Sequence, residues 1–181
     1  LVVGVTAALG LVGGMDDLAK LRGNQSKGLS ARAKLIGQGL IVFGFIGILL
    51  SSGSYPTSLE VPFVKQSSID LKFWYVPFAI LVVVGASNAV NIADGLDGLA
   101  IGCMSMIGLC LTVMCYLSGH RGLAGYLFIP FSAGAGELAV FCAALVGAGM
   151  GFLWYNTHPA SVFMGDTGSL ALGGAIGAVA V

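Results

Sequence analysis

Three short stretches hold five of the six aspartates in this chain. In "GGMDDLAKLRGNQSKGLSARAKL", Asp16 and Asp17 stand side by side at the end of an apolar run. Adjacent carboxylates repel, and each raises the other's pKa unless a cation neutralises them. On a helix they would point about 100° apart. Lys20, three and four residues on, can pair with either. In "ASNAVNIADGLDGLA", Asn91, Asp94 and Asp97 are spaced by three, which brings them together on a helical turn, and Gly95 and Gly98 leave the backbone free to turn or approach a ligand. In "FLWYNTHPASVFMGDTGSL", Asn156 and His158 follow an apolar run, and Phe163 precedes a turn carrying Asp166, Thr167 and Ser169.

Each stretch alone has an ordinary reading beside a chemical one. Asp94 and Asp97 suit a polar turn between two helices. Asp16, Asp17 and Lys20 suit a solvated helix end with a local ion pair. Asp166 suits the N-cap of the helix that follows it. Phe163 can anchor at a membrane interface or stack on a planar base, and His158 reads as an interfacial polar residue. Taken together, the hard oxygen donors suit Mg²⁺, which prefers carboxylates, water and phosphate oxygens. Such an ion could hold a diphosphate and offset charge on a leaving phosphate. The sequence has no Walker A loop, no dinucleotide-binding fingerprint and no zinc motif.

The elements that must position these residues follow from composition. The 181 residues are 57% hydrophobic and only 9% charged, with a mean hydropathy of +0.96. A water-soluble domain carries about a quarter charged residues, so this is the composition of a membrane protein. Zero formal net charge gives no electrostatic case for nucleic acid. Cys103, Cys110, Cys115 and Cys142 all lie in apolar runs without metal-ligand spacing, and read as small apolar packers.

Crossing a bilayer takes about 20 helical residues. Runs at 34–52, 73–90, 99–117 and 137–155 meet that length, with partial runs at 1–14 and 167–181. The expectation is an all-α polytopic transmembrane bundle, with residues 1–181 forming one integral-membrane domain interrupted at both ends. Gly10/Gly14 and Gly147/Gly151 have the spacing that lets helices approach closely.

Alternating the sides puts 15–33, 91–98 and 156–166 on one face, with 53–72 and 118–136 on the other. The first face gathers Asp16, Asp17, Asp94, Asp97 and Asp166, leaving Asp70 apart. On that face the stretch 15–34 carries Lys20, Arg22, Lys27, Arg32 and Lys34, against Lys65, Lys72 and Arg121 opposite. That balance favours the first face as cytoplasmic. The stretch 118–136 is itself fairly apolar; if it crossed the membrane, the later sides would flip. Acids at the ends of runs suit an interfacial active site, whereas an ion-coupled transporter would bury them along its helices.

"MDDLAK", "KGLSARAKLIGQ", "SNAVNIADGLDGLA" and "FLWYNTHPASVFMGDTGSLALGGAIGAVAV" resemble the polyprenyl-phosphate N-acetylhexosamine-1-phosphate transferase superfamily. Within it, "SKGLSARAKL" and "HPASVFMGDTGSLALGG" look specific to the phospho-N-acetylmuramoyl-pentapeptide transferases. The resemblance implies a Mg²⁺-dependent enzyme at the cytoplasmic face of the bacterial inner membrane, usually a homodimer. It would move phospho-MurNAc-pentapeptide from UDP-MurNAc-pentapeptide to undecaprenyl phosphate, giving lipid I and UMP. By the same resemblance Asp166 matches the metal ligand, and Asp16 and Asp17 match an essential acidic pair, one of them a candidate base or nucleophile. Asn91, Asp94 and Asp97 match the nucleoside side of the site, Asn156 a polar substrate contact, and Phe163 the aromatic that stacks on uracil. A sister enzyme using UDP-GlcNAc is the nearest alternative; "KGLSARAKL" disfavours it. The family's N-terminal region and a later histidine-rich motif are not in the sequence, as expected of an internal portion of a longer chain.

Overall fold

Residues 11–22 show how apolar runs become helices here. The apolar stretch was expected to stop near residue 14, yet α1 (Val2–Arg22) continues through Asp16 and Asp17. Met15–Arg22 contains no glycine or proline, and its Leu, Ala, Lys and Arg residues are good helix formers. Asp16 and Lys20 also close an i,i+4 ion pair along the helix. The two carboxylates therefore stand on a rigid helical backbone rather than in a loop.

The computed structural model describes residues 1–22, 28–51, 56–60 and 68–181. After α1 come α2 (Ala31–Ser51), strands β1 (Ser58–Glu60) and β2 (Ser68–Asp70), and a 3₁₀ turn at Lys72–Trp74. Then follow α3 (Tyr75–Ala93), α4 (Leu99–Gly119), α5 (Arg121–Leu127), α6 (Ala135–Asn156) and α7 (Gly165–Ala180). Lys27 and Lys65, which entered the charge comparison between faces, lie outside the described residues.

Five helices are long and apolar enough to span a bilayer: α1, α2, α3 with its leading 3₁₀ turn, α4 and α6. At 1.5 Å per residue, 21 residues reach about 32 Å. So α1 joins the four complete spans the sequence suggests, while α7, with 16 residues, is the shorter one. Leu11, Leu40, Leu81, Met106, Val140 and Trp154 all face outward. That is costly in water and ordinary in hydrocarbon.

The ambiguous stretch 118–136 does not cross. Its helix α5 has seven residues, about 10 Å long, and Ser132 N donates to Ser118 O at 3.0 Å, bringing the chain back to the end of α4. The alternation of sides therefore holds. At the same end as α5, β1 and β2 form an antiparallel ribbon in register Ser58↔Asp70, Leu59↔Ile69, Glu60↔Ser68. Three-residue strands are too short to print a period on the sequence.

Small residues set how the helices approach. Helix α7 lies between α1 and α3. A Cβ at Gly13 would overlap the Asp166 carbonyl, and one at Gly173 would meet Ala86 O at 2.5 Å. One at Gly177 would come within 2.7 Å of Val83 Cα. Helices α4 and α6 close on each other through Gly108 under Val146 and Gly149 under Ser105. Of the two expected glycine pairs, Gly10/Gly14 meets Ala171 and Thr167 as anticipated. Gly147/Gly151 does not serve this way: among the described residues nothing from a neighbouring element lies within 4 Å of a Cβ built at either. The face that α6 turns to α4 carries Cys142, Val146 and Gly149, which leaves Gly147 and Gly151 outside.

Buried polar groups tie the helices further. Ser87 Oγ donates to Leu170 O at 3.0 Å, and Asn88 Nδ2 donates to Gln38 Oε1 at 2.7 Å. Such bonds are each worth about 0.6–2 kcal/mol between membrane helices. Below them lies the apolar core of Leu9, Val42, Ile46, Ala79 and Val83.

Gly13→Ala should lower thermal stability in detergent by about 1–3 kcal/mol, because the added methyl drives α1 off α7. Gly147→Ala and Gly151→Ala should each stay within about 0.5 kcal/mol of the parent. Thermal unfolding of the whole protein checks both.

Candidate active site

The close crossing at Gly13 brings the last turns of α1 against the first turn of α7. A helix N-terminus presents unsatisfied N–H groups and a partial positive charge. Asp17 meets both. Its Oδ2 accepts from Thr167 N at 2.9 Å and from Thr167 Oγ1 at 2.7 Å, and its Oδ1 faces Asp166 N at 3.4 Å. Gly165 adopts φ +66°, and a Cβ there would sit 3.0 Å from Asp17 Oδ2. The N-cap role considered for Asp166 is not what forms. Met164 stands at the N-cap without a side-chain bond, and the capping carboxylate comes from Asp17 on another helix.

Asp166 is thereby left to point elsewhere. Its Oδ1 accepts from Asn91 Nδ2 at 2.8 Å, and Asn91 also reaches Ser169 Oγ at 2.9 Å. Its Oδ2 accepts from Lys20 Nζ at 3.0 Å and from Lys34 Nζ. Asp16, only 1% exposed, takes Leu29 N on Oδ1 at 2.6 Å. Its Oδ2 pairs with Lys20 at 2.7 Å and Lys34 at 3.2 Å. So Asp16 and Asp17 differ in their main partners, as neighbours on a helix must, and share only Lys20, which also reaches Asp17 Oδ1 at 3.5 Å. Even so, Asp16, Asp17 and Asp166 each offer one oxygen to a cluster no more than 4.8 Å across.

Beside this cluster is a cavity of about 250 Å³, lined by Asn91, Asp94, Gly95, Leu96, Asp97, Asn156, Phe163, Gly165 and Asp166. All five residues expected on the substrate side lie on it, and Asp166 belongs to both compartments. Their availability differs. Asn156 is buried; its Oδ1 accepts from Gly98 N at 3.0 Å and its Nδ2 donates to Val162 O at 2.8 Å. It clamps the 98 and 162 backbones, with both ends of its amide engaged. Asp97 Oδ2 holds Ala160 N at 3.2 Å and His158 Nδ1 at 3.0 Å, and so ties the α3–α4 loop to the segment before α7. These contacts keep its carboxyl below the usual carboxylate range, the Ala160 N–H more than the imidazole. Asp94 accepts no hydrogen bond from the described residues. Burial, and then the charge of Asp166, push its carboxyl up. Phe163, which also lines the cavity, is 72% exposed.

Two members of the cluster were not singled out as site residues. Lys20 was visible as a local partner of Asp16 and Asp17. Lys34 was visible only as charge, and its bond to Asp166 spans 132 residues of sequence. Thr167 and Ser169 were noted in the turn; their partners Asp17 and Asn91 sit on other helices.

Asp97→Ala should speed hydrogen exchange at the Ala160 amide and leave the α1–α7 contact intact. In the parent the same protection should hold at neutral pH. It should be lost as pH falls through the lowered range of Asp97, since protonation removes the charged acceptor. Site-resolved exchange mass spectrometry reads both. The profile of glycosyl transferase family 4 matches residues 1–181. The chain is 53% identical over 177 residues to a phospho-N-acetylmuramoyl-pentapeptide-transferase of Maridesulfovibrio salexigens, covering 98% of this chain and 49% of that protein. It is 49% identical over 181 residues to one of Oleidesulfovibrio alaskensis, covering 100% of this chain and 51% of that protein. To one of Pelobacter propionicus it is 51% identical over 177 residues, with coverages of 98% and 49%. The chain spans about half the length of the curated relatives it matches. With the family profile matched from end to end, the chain belongs to glycosyl transferase family 4.

Proposed function

We propose that this chain forms the catalytic centre of a membrane phosphosugar transferase. The enzyme would move phospho-MurNAc-pentapeptide from UDP-MurNAc-pentapeptide to undecaprenyl phosphate. The observation that carries this reading is the sharing of Asp166 between a three-carboxylate, two-lysine cluster and a cavity floored by Asn91 and Asp94. A diphosphate bridging a nucleoside and a sugar needs these two compartments side by side. The half-identical relatives are named for transfer of a phospho-N-acetylmuramoyl-pentapeptide, which supports the same transferred group here.

In this reading an oxygen of the lipid phosphate attacks the phosphorus that carries the sugar. The new P–O bond forms as the bond to the uridine-bearing phosphate breaks, and UMP leaves. A phosphate monoester has a second pKa of about 6, so the attacking oxygen is largely ionised at neutral pH without a strong base. Asp17 is tied to the α7 N-terminus through Thr167, which suits it to fix geometry. Asp16, buried and ion-paired, draws Lys20 and Lys34 to the cluster. Asp94 offers a carboxylate, or its protonated form, to the nucleoside, and Phe163 offers a ring face to the base. An apolar cavity of about 330 Å³ beside Thr167, lined by Ile101, Phe152, Phe163, Met164 and Leu172 among others, suits the first isoprene units of the acceptor.

The donor set fits Mg²⁺: three carboxylate oxygens within 4.8 Å and no sulfur or imidazole among them. Asp166 would hold the ion, with Asp16 and Asp17 within reach. When bound, it would supply charge neutralisation for the diphosphate. The described cations Lys20, Arg22, Arg32 and Lys34 lie at the site end, against Lys72 and Arg121 opposite, which supports a cytoplasmic site in the bacterial inner membrane.

A radiolabel transfer assay on the whole protein tests this, with undecaprenyl phosphate and either UDP-MurNAc-pentapeptide or UDP-GlcNAc. Product is expected with the first donor. Asp166→Asn should lower turnover by a factor on the order of 10²–10³ while membrane insertion stays normal. Product with UDP-GlcNAc alone would assign the sister reaction, and near-parent turnover by Asp166→Asn would remove Asp166 from the chemistry.

A further inference from the structure

Lys20 Nζ lies 2.7 Å from Asp16 Oδ2, 3.0 Å from Asp166 Oδ2 and 3.5 Å from Asp17 Oδ1. Among the described residues no other cation touches all three carboxylates; Lys34 touches two. The opposite oxygen of each carboxylate is committed elsewhere. Asp16 Oδ1 is held by Leu29 N, Asp17 Oδ2 by Thr167, and Asp166 Oδ1 by Asn91. The three remaining oxygens are the ones Lys20 touches; Lys34 shares two of them, and Asp17 Oδ1 also faces Asp166 N at 3.4 Å.

A divalent cation held by this cluster would draw on the same three carboxylates, and Mg²⁺ takes its oxygens at about 2.0–2.1 Å. It would stand within a few ångströms of the Lys20 ammonium, so the two exclude each other by contact and by charge. The lysines differ in how easily they can leave. Lys34 is 15% exposed, whereas Lys20 is 41% exposed. Charge favours the exchange as well. Three carboxylates against two ammoniums leave one negative charge; trading Lys20 for a divalent ion makes the cluster neutral.

We propose that Lys20 is a tethered counter-cation that gates metal loading, exchanging with the divalent ion at the Asp16, Asp17 and Asp166 carboxylates while Lys34 stays. This rests on the reading that the cluster takes a divalent metal. A gate closed nine-tenths of the time weakens apparent metal affinity about tenfold, so its removal strengthens binding, whereas damage to the fold would weaken it.

The test is Mn²⁺ titration of the chelator-stripped whole protein in detergent without substrates, with free Mn²⁺ read by electron paramagnetic resonance. Lys20→Gln should bind Mn²⁺ about tenfold more tightly than the parent. Arg22→Gln, which removes a nearby charge that does not touch the cluster, should change little. Affinity unchanged or weaker in Lys20→Gln, or an equal gain in Arg22→Gln, overturns the gate. A second measurement needs no variant: reductive methylation of Lys20 in the parent should be faster with Mn²⁺ than with EDTA, and an equal rate overturns the gate. If the parent binds no Mn²⁺ that Asp166→Asn abolishes, the metal reading itself fails and the gate with it. Parent binding with an unmoved Lys20→Gln sinks the gate alone.

Discussion

The Asp17 carboxylate on the first N–H groups of α7 is the contact on which the site depends. It forms only because Gly13 lets α1 reach the α7 backbone and Gly165 leaves room for the carboxylate. Once α7 is held there, the register of its first turn decides the rest. Asp166 turns toward Lys20, Lys34 and Asn91, and Ser169 comes under Asn91. Thr167 closes the contact with its hydroxyl. Losing this one interhelical cap would free the first turn of α7, where Asp166 and Ser169 meet groups supplied by α1, α2 and α3, while Gly173, Gly177 and the Ser87 bond still seat the rest of the helix.

Charge is the second constraint. A lone carboxylate at a bilayer centre costs about 2.5–3.5 kcal/mol on insertion scales. This chain keeps its acids at the ends of spans and compensates the most buried of them, Asp16, with two ammoniums and a backbone N–H. Asp97 and Asn156 do different work. They spend their polar atoms on backbone groups of the loops and so hold the cavity wall in place. Asp94 is left as the wall's carboxylate without an internal hydrogen bond among the described residues. Beside the cluster there is thus a part built to be rigid and a part open to a ligand.

Run length and polarity made much of this readable in the sequence. A stretch of about 20 apolar residues has few places to go besides hydrocarbon, so α2, α3, α4 and α6 stand where the runs do. Alternating those spans was enough to gather Asp16, Asp17, Asp94, Asp97 and Asp166 at one end. The pairings were not readable, because they depend on how each helix is rotated and how deeply it sits. Nothing in the spacing of Asp17 marks it as the cap of a helix 150 residues away. Lys34 looked like flanking charge until α2 packed beside α1. The Gly147/Gly151 spacing is the same as that of Gly10/Gly14, yet only the latter faces a neighbour in this chain. A motif reports that close approach is permitted; packing decides where it happens.

The central claim is that Asp16, Asp17 and Asp166 act as one cation site at the foot of the substrate cavity. Anomalous diffraction from crystals of the whole protein soaked in Mn²⁺ tests it most directly. The account predicts a single strong peak bonded to Asp166 and within reach of Asp16 and Asp17, with the Lys20 ammonium moved aside. A peak at Asp94 or Asp97 instead, or occupancy that leaves Asp166 uncoordinated, would contradict it.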